Sequence, residues 1–408
     1  MKKIHYAWVV CIGCALILFC TSGLSVNAFS IYQPYIISQN QFTNTQLSTM
    51  IAFRNFASLF SLFLVNRYYH KLGIRNGLTL IGIILAVAFM LYGFATKYWH
   101  YCLAAMATGI AFGSGTMVPI TILLSRWFSR NKDTAIGICS AVTGLSTLGI
   151  PSLLSRSIET RGLRFTFCTE AAIILLFAVL CWLMLKNSPE EKGVLPYGQG
   201  SDEGSNPSQV KISDNRDISR TALIIMILML LLTGGVMNVA YSHLTVLITG
   251  VGLSESVAAL AMSLSGLGLM FGKIVYGRLE DLWGTVRCNF VFAPLLLIGL
   301  VFCCFLKKAP FLLYPAMVLY SFGLGYLSVG LSTWPGELSS AERHDRMVQI
   351  FQIGYMAGCL LFSPVPGILA DRAGGSYASA YGLFAVLGVV VFASVQIILI
   401  RHKQKRGS

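Results

Sequence analysis

The sequence predicts an all-α membrane protein of twelve spanning helices in two similar six-helix halves. Three observations predict it: a composition too apolar for water, twelve apolar runs of spanning length, and an internal correspondence at a nearly constant offset. Hydrophobic residues make up 55% of the 408, charged residues 11%, and mean hydropathy is +0.71. A soluble domain carries about 25% charged residues, so lipid must cover this surface.

A spanning helix needs about 20 predominantly apolar residues. The first run, near 8–31, follows Lys2 and Lys3. It is too long for a signal-peptide core and ends in no small-residue cleavage site, so we expect a retained helix. The second and third, 46–66 and 77–96, flank the charged turn Arg67–Arg75, and Lys97 precedes the fourth at 100–125. The basic loop Trp127–Lys132 introduces the fifth at 134–154, and Arg156, Arg161 and Arg164 lead to the sixth at 165–186. Residues 187–219 hold Pro189, Glu190, Glu191, Asp202, Glu203 and Pro207 without apolar periodicity, which predicts a flexible linker. The second set runs near 220–247, 254–277, 288–306, 311–333, 347–370 and 376–400, the last two parted only by the turn Asp371–Ser376. The expected division is a six-helix bundle over 1–186, a cytoplasmic linker, a second bundle over 220–400 and a basic tail over 401–408.

The net charge of +14 is distributed in short loops and does not gather on a soluble face, so it calls for no nucleic-acid partner. With both termini inside, cytoplasmic segments hold 21 Lys and Arg, outer loops hold 7, and Arg54 and Lys273 lie within helices. That asymmetry predicts cytoplasmic termini. The 11 cysteines show no zinc-ligand spacing, and Gly113-Ser114-Gly115 follows no strand, so neither metal nor nucleotide is expected. No cofactor is implied. The absence of a glycosylation sequon fits a bacterial inner membrane.

The halves look alike at a nearly constant offset, at positions in three helix pairs. Asp133 matches Asp345, His70–Gly73 matches Asp281–Gly284, Gly113 matches Gly325, and Pro151 lies one residue off register from Pro364. Duplicated helical units imply a substrate site near the midplane at the repeat interface.

The loop after the eighth helix carries Gly277, Asp281, Gly284 and Arg287 in the stretch Gly277-Arg278-Leu279-Glu280-Asp281-Leu282-Trp283-Gly284-Thr285-Val286-Arg287. It resembles the G-x-L-x-D-x-x-G-x-x-R motif of the major facilitator superfamily. Gly permits close helix approach, Asp caps or pairs at a neighbouring helix end, and Arg anchors the loop at the anionic inner surface. The corresponding stretch Asn66–Arg75 lacks both the first Gly and the Asp. Trp127-Phe128-Ser129-Arg130-Asn131-Lys132 running into Gly137 resembles the loop before helix five in monocarboxylate transporters and oxalate–formate antiporters. Gly162-Leu163-Arg164-Phe165 with Glu170 resembles the start of their helix six. Pro366-Gly367-Ile368-Leu369-Ala370-Asp371-Arg372 with Gly374 and Tyr377 is similar to the end of helix eleven in monocarboxylate transporters. The resemblance implies the major facilitator fold, a transporter that is not an enzyme, and a conformational role for Asp371.

Lys273 lies eight residues before Asp281, about 12 Å into the membrane. It stands where the resembling transporters carry a substrate-facing Arg, which implies a carboxylate contact. A Lys near the bilayer centre costs about 2.5–3.5 kcal/mol, so it needs a cavity or partner; snorkelling to the interface is the structural alternative. Arg54, in the outer half of helix two, is a second candidate, or pairs with an outer group. Asn27, Tyr32, Asn238, Tyr241 and Tyr355 are candidate lining residues, with Tyr320, Gln352 and His243 behind them; such residues more often bond between helices. An interfacial position is the plain reading of His243. Gly109, Gly113, Gly115, Gly137, Gly144, Gly266, Gly268, Gly272 and Gly277 are expected to let helices approach.

No Asp or Glu is expected deep in any helix, Glu170 lying only a turn or so into helix six, and the position four residues before Lys273, where the proton-coupled relatives carry Asp, is Leu269. The expectation is a carrier of a small organic anion, a monocarboxylate, working as exchanger or uniporter with proton symport open. It acts as a monomer in the bilayer without an obligate protein partner. A drug or sugar carrier and a non-transporting metabolite sensor are the alternatives.

Overall fold

A computed structural model describes residues 5–129, 132–146, 148–198, 218–340 and 343–407. Arg130, Asn131, most of the expected linker, and the side chains of Asp133, Asp281 and Asp345 lie outside the described residues. Eleven helices among the described residues are long and apolar enough to cross a membrane. The expected fifth span falls into two shorter helices, Lys132–Leu145 and Ile150–Arg161, separated around Gly149 at φ 79°.

We number the helices that matter below in chain order. The first span, Tyr6–Asn40, comprises α1 (Tyr6–Leu18), a π-helical stretch Phe19–Asn27, a 3₁₀ turn Ala28–Ile31 and a final α-helical turn pair Tyr32–Asn40. Helical residues then run from Asn44 to Phe94 and break at Gly73, where φ is 72° and ψ 160°, giving α2 (44–72) and α3 (74–94). Then come α4 (Tyr98–Ser114), α5 (Leu163–Met184), α6 (Arg220–Gly234), α7 (Glu255–Trp283), α8 (Thr285–Phe305), α9 (Leu313–Leu338), α10 (His344–Phe362), α11 (Val365–Arg372) and α12 (Ala378–Gly407).

Burial on α2 runs opposite to that of a helix in water. Phe53, Phe56, Phe60, Phe63 and Leu64 are exposed, while Arg54, Asn55, Ser58 and Ser61 are buried. A soluble helix turns its apolar stripe inward; here hydrocarbon is the outer solvent and polar groups meet inside protein. Leu175, Leu176, Val179, Trp182 and Leu183 form a comparable outer face on α5.

The chain forms two compact units. Unit 1 holds residues 1–29 and 53–208; unit 2 holds 30–52 and 209–408. Helix α2 therefore starts in unit 2 and continues in unit 1. Each unit contains a close helix crossing that glycine makes possible. In unit 1, a Cβ on Gly109 of α4 would stand 2.9 Å from the Arg54 carbonyl carbon, and one on Gly113 2.9 Å from Ser58 Cα. In unit 2, a Cβ on Gly272 of α7 would stand 2.9 Å from the Phe322 carbonyl carbon. One on Gly325 would stand 2.5 Å from the Gly272 carbonyl oxygen and 3.1 Å from the Lys273 nitrogen. Gly277 differs from the expectation: its Cβ would meet nothing within 4 Å, so it serves no close approach.

The repeat persists in backbone geometry. Gly284, the counterpart of Gly73 in the second half, parts α7 from α8 with φ 78° and ψ 156°. A π-helical stretch Gly235–Val239 follows α6, and its last residue is the counterpart of Asn27, which closes the first such stretch.

The expected linker is not featureless over its described part. Residues 187–198 fold onto unit 1, where Tyr197 donates its N–H to the Trp127 carbonyl (2.8 Å) and its own carbonyl accepts from Ser129 N–H (3.0 Å). Its ring packs against Trp8 and Phe128 at 5.9 and 5.7 Å. One aromatic residue in a polar stretch is enough to dock it, because an aromatic ring buries a large apolar area.

Candidate functional site

In unit 2, α7 is an uninterrupted helix of 29 residues, Glu255–Trp283, opened by the Ser254 side chain, which accepts from Val257 N–H. Lys273 stands ten residues before its C-terminal end, about 15 Å along the axis. It is half-buried and has no hydrogen-bond or ion-pair partner among the described residues. The glycines around it set its position: Gly272 and Gly325 bring the α7 and α9 backbones together at the Lys273 turn, so this part of the helix is fixed by packing.

Two helical turns nearer the helix start, Ser265 meets the Tyr241 hydroxyl at 3.1 Å. Tyr241 follows the π-helical stretch Gly235–Val239, a local widening of the helix that recurs at functional sites. The carbonyls of this region are taken by tyrosines. Tyr320 donates to the Val236 carbonyl at 2.9 Å, and Tyr381 donates to that of Ala240 at 2.6 Å. Asn238, within the stretch, meets the Tyr355 hydroxyl from α10. Unit 2 thus gathers Asn238, Tyr241 and Tyr355 around one irregular segment. Tyr32, also in unit 2, is fully buried at the start of its helical turn pair.

Unit 1 holds the other candidates. Arg54 is 2% exposed, ten residues into α2, with Gly109 of α4 against its carbonyl. Asn27 closes the first π-helical stretch and donates from Nδ2 to the Thr143 carbonyl at 3.1 Å. Glu170 departs from expectation. It lies seven residues into α5 and is 4% exposed, so the membrane region of unit 1 does contain a buried carboxylate. A helix that begins at Leu163, two residues earlier than expected, carries Glu170 a half-turn deeper.

The motif residues divide by task. Gly284 supplies the sharp turn between α7 and α8, and Arg287 is exposed in the first turn of α8. At the C-terminal ends of α7 and α9, the Thr285 hydroxyl lies 2.7 Å from Glu280 Oε1 and 2.5 Å from Glu337 Oε1; Thr333 donates to Glu280 at 2.9 Å. Asp371 ends α11 and binds the start of α2: Oδ1 accepts from Asn44 N–H (3.2 Å) and Nδ2 (2.8 Å), and Oδ2 from Thr45 N–H (2.8 Å) and Oγ1 (2.5 Å).

His243 is fully buried, not interfacial as expected. Its Nδ1 lies 2.8 Å from the Val239 carbonyl, which can only accept, so Nδ1 carries the proton. Nε2 lies 3.0 Å from the Ser48 hydroxyl, within hydrogen-bonding distance. Sequence reasoning passed over Asn44, Thr45 and Ser48. The available signal was Thr43-x-x-Gln46, a capping box that marks a helix start.

Among the described residues no group of His, Cys, Asp and Glu is placed to hold a metal ion, and all 11 cysteines are free.

Comparison with known proteins agrees with this architecture. The family model described as Major Facilitator Superfamily matches residues 15–340 and 247–408. The chain is 26% identical to "MFS-type transporter hasB" of Aspergillus fumigatus, over 96% of this chain and 87% of that protein. It is 24% identical to "Agnestins efflux protein AgnL12" of Paecilomyces divaricatus (98% and 88%). It is 22% identical to monocarboxylate transporter 12 of Mus musculus (97% and 85%). Among solved structures it superposes on a mutant of the nucleoside transporter NupG with a TM-score of 0.75 at 13% identity, covering 97% of this chain and all (100%) of that one. On a D-xylose–proton symporter the TM-score is 0.70 at 16% identity, covering 95% of each. These structural likenesses establish the fold, and the family match establishes membership: the chain is an integral membrane protein of the major facilitator superfamily.

Proposed function

We propose that the protein carries a small organic anion, a monocarboxylate, across the membrane by alternating access of its two halves. The observation that carries this reading is Lys273: a half-buried cation, deep in a rigid helix, with no partner among the described residues. Such a charge is costly in the membrane, and a substrate carboxylate offsets the cost only while bound. That is the differential interaction a carrier uses to shift between states. The hydroxyls of Tyr241 and Tyr355 and the amide of Asn238 offer neutral hydrogen bonds for the rest of a small molecule, with Tyr32, Asn27 and Arg54 as further candidates. The similarity to a protein named monocarboxylate transporter supports the substrate class. Similarity to a protein named for efflux of agnestins favours a second reading, export of a larger organic compound.

Exchange or uniport is the proposed mode, because Leu269 fills the position of the family's coupling Asp. Proton symport has a candidate group of its own in the buried Glu170. The proposed setting is a bacterial inner membrane with both termini in the cytoplasm, by the distribution of Lys and Arg.

Reconstitution into liposomes tests the reading. Vesicles preloaded with an unlabelled monocarboxylate should accumulate the labelled acid by counterflow, without internal acidification. Stoichiometric acidification would replace exchange with symport and direct attention to Glu170. Counterflow of neutral solutes alone would overturn the anion assignment.

A further inference from the structure

Two sulfur atoms meet between helices of unit 1. Cys11 in α1 and Cys139 in the helix Lys132–Leu145 have their Sγ atoms 3.6 Å apart, although 128 residues separate them in sequence. Each sulfur also reaches the main chain of the other helix. Cys139 Sγ lies 3.4 Å from the Cys11 carbonyl, and Cys11 Sγ lies 3.7 Å from the Ala135 carbonyl, one turn before Cys139. Buried cysteines commonly fill space as small hydrophobes, and other cysteines of this chain fit that description. Cys303 and Cys304 are neighbours in sequence, yet adjacent residues of a helix do not face each other, and Cys304 turns back to the Leu300 carbonyl at 3.3 Å. Cys181 spends its thiol on the Gly13 carbonyl at 3.2 Å.

Packing holds the pair where it is. Ala7, Val10, Cys14 and Ala135 are fully buried in the same apolar cluster. Further along the two helices, Asn27 donates to the Thr143 carbonyl at 3.1 Å, and a Cβ on Gly23 would collide with Ser146. The sulfurs therefore cannot drift apart unless the helices do, because a close-packed interior leaves side chains little room.

We propose that Cys11 and Cys139 form a redox-sensitive dithiol, which an organic hydroperoxide dissolved in the bilayer converts into a disulfide joining α1 to the helix Lys132–Leu145. Both are free thiols in the structure, the resting state that a reducing compartment maintains. In the first step one sulfur attacks the terminal oxygen of the hydroperoxide. The O–O bond breaks, and the alkoxide leaves with the thiol proton as an alcohol. The second sulfur then displaces the hydroxyl of the resulting sulfenic acid, which leaves with the second thiol proton as water. Two thiols and one hydroperoxide thus give one disulfide, one alcohol and one water, with two electrons passing from sulfur to oxygen. Proximity selects this product: a sulfenic acid with a thiol beside it condenses before a second oxidant arrives. The sulfurs must close from 3.6 Å to a bond of about 2 Å, a movement that two side chains can share. Burial in an apolar cluster keeps charged oxidants out, which is why the oxidant is a neutral one carried by the membrane. The site lies within unit 1 and holds whatever solute the protein carries.

The test treats the full chain in liposomes with tert-butyl hydroperoxide, then blocks free thiols with a maleimide in denaturant and digests the protein. The expected product is a peptide pair joined through Cys11 and Cys139, absent without oxidant and released by dithiothreitol. Cys14→Ala, one turn along α1, should keep the cross-link. Cys11→Ala and Cys139→Ala should each lose it, and either carries the test if the other does not fold. Because the bond closes a segment spanning 128 residues, the oxidised protein should melt about 5–10 °C above its reduced form, with no shift in Cys139→Ala. Three results would overturn the proposal: both thiols left free while a lipid thiol in the same vesicles is oxidised, cross-links to Cys14 or Cys181 instead, or a cross-linked protein that melts no higher.

Discussion

The two glycine crossings, Gly113 on Ser58 and Ser61 in unit 1 and Gly325 on Gly272 and Lys273 in unit 2, occupy equivalent places in the repeat. Both bring helix backbones together, and the matching turns at Gly73 and Gly284 agree within a few degrees, φ 72° against 78° and ψ 160° against 156°. The side chains do not follow the repeat. Where unit 1 has the hydroxyl of Ser61, the equivalent position of unit 2 has the ammonium of Lys273. Where unit 1 has lost the motif Gly and Asp at Asn66 and His70, unit 2 retains Gly277 and Asp281. Duplication preserved what packing requires and left chemistry free to diverge, so positions where the halves disagree are where specificity should be sought.

The comparison can be broken first at the crossings. Gly325→Val and Gly113→Val force a side chain into backbone, and overpacking of that kind costs about 1–3 kcal/mol or more. Both variants should lose most folded protein in size-exclusion and thermal-stability assays, equally in the two units. A large difference between them would deny the equivalence. Next in size is Lys273→Met. It removes a costly intramembrane charge of about 2.5–3.5 kcal/mol, so the ligand-free protein should melt higher while transport is lost. A lower melting temperature would mean that Lys273 stabilises the fold. Gly73→Ala and Gly284→Ala each place a side chain in a backbone region essentially reserved for glycine, costing about 1–3 kcal/mol. The two should match each other despite the different motifs around them. Gly277→Ala, with open space at its Cβ, should change stability by less than about 0.5 kcal/mol, and a large loss would restore the close approach expected from the motif.

Much of this was legible in the sequence because membrane solvation imposes length and composition on every span. The positions of Lys273 and Arg54 along their helices followed from counting residues in regular helix. Other features were hidden for identifiable reasons. The π-helical stretches ending at Asn27 and Val239 shift side chains without changing hydropathy, so no apolar pattern announces them. The Thr43–Gln46 box announces the start of α2, yet nothing local in Asn44 or Thr45 points to Asp371, since long-range caps leave no periodic trace. Tyr197 was lost within a polar stretch whose composition outweighed one aromatic ring. Glu170 was judged by its distance from an expected helix start, and a shift of two residues in that start altered its depth. His243 was placed at an interface by its position near a helix end, whereas the buried partners Val239 and Ser48 are what determine its environment.

The central claim is that Lys273 receives a carboxylate. Thermal stabilisation of purified protein by a panel of small carboxylates, their neutral isosteres and sugars tests it most directly, because a ligand of the folded state raises stability whatever the transport mode. The account predicts that a monocarboxylate at about 100 times its Kd adds about 2.7 kcal/mol to the wild type and nothing to Lys273→Ala, with neutral isosteres inactive on both. Equal stabilisation of both proteins by an acid, or a response confined to neutral or cationic compounds, would contradict it.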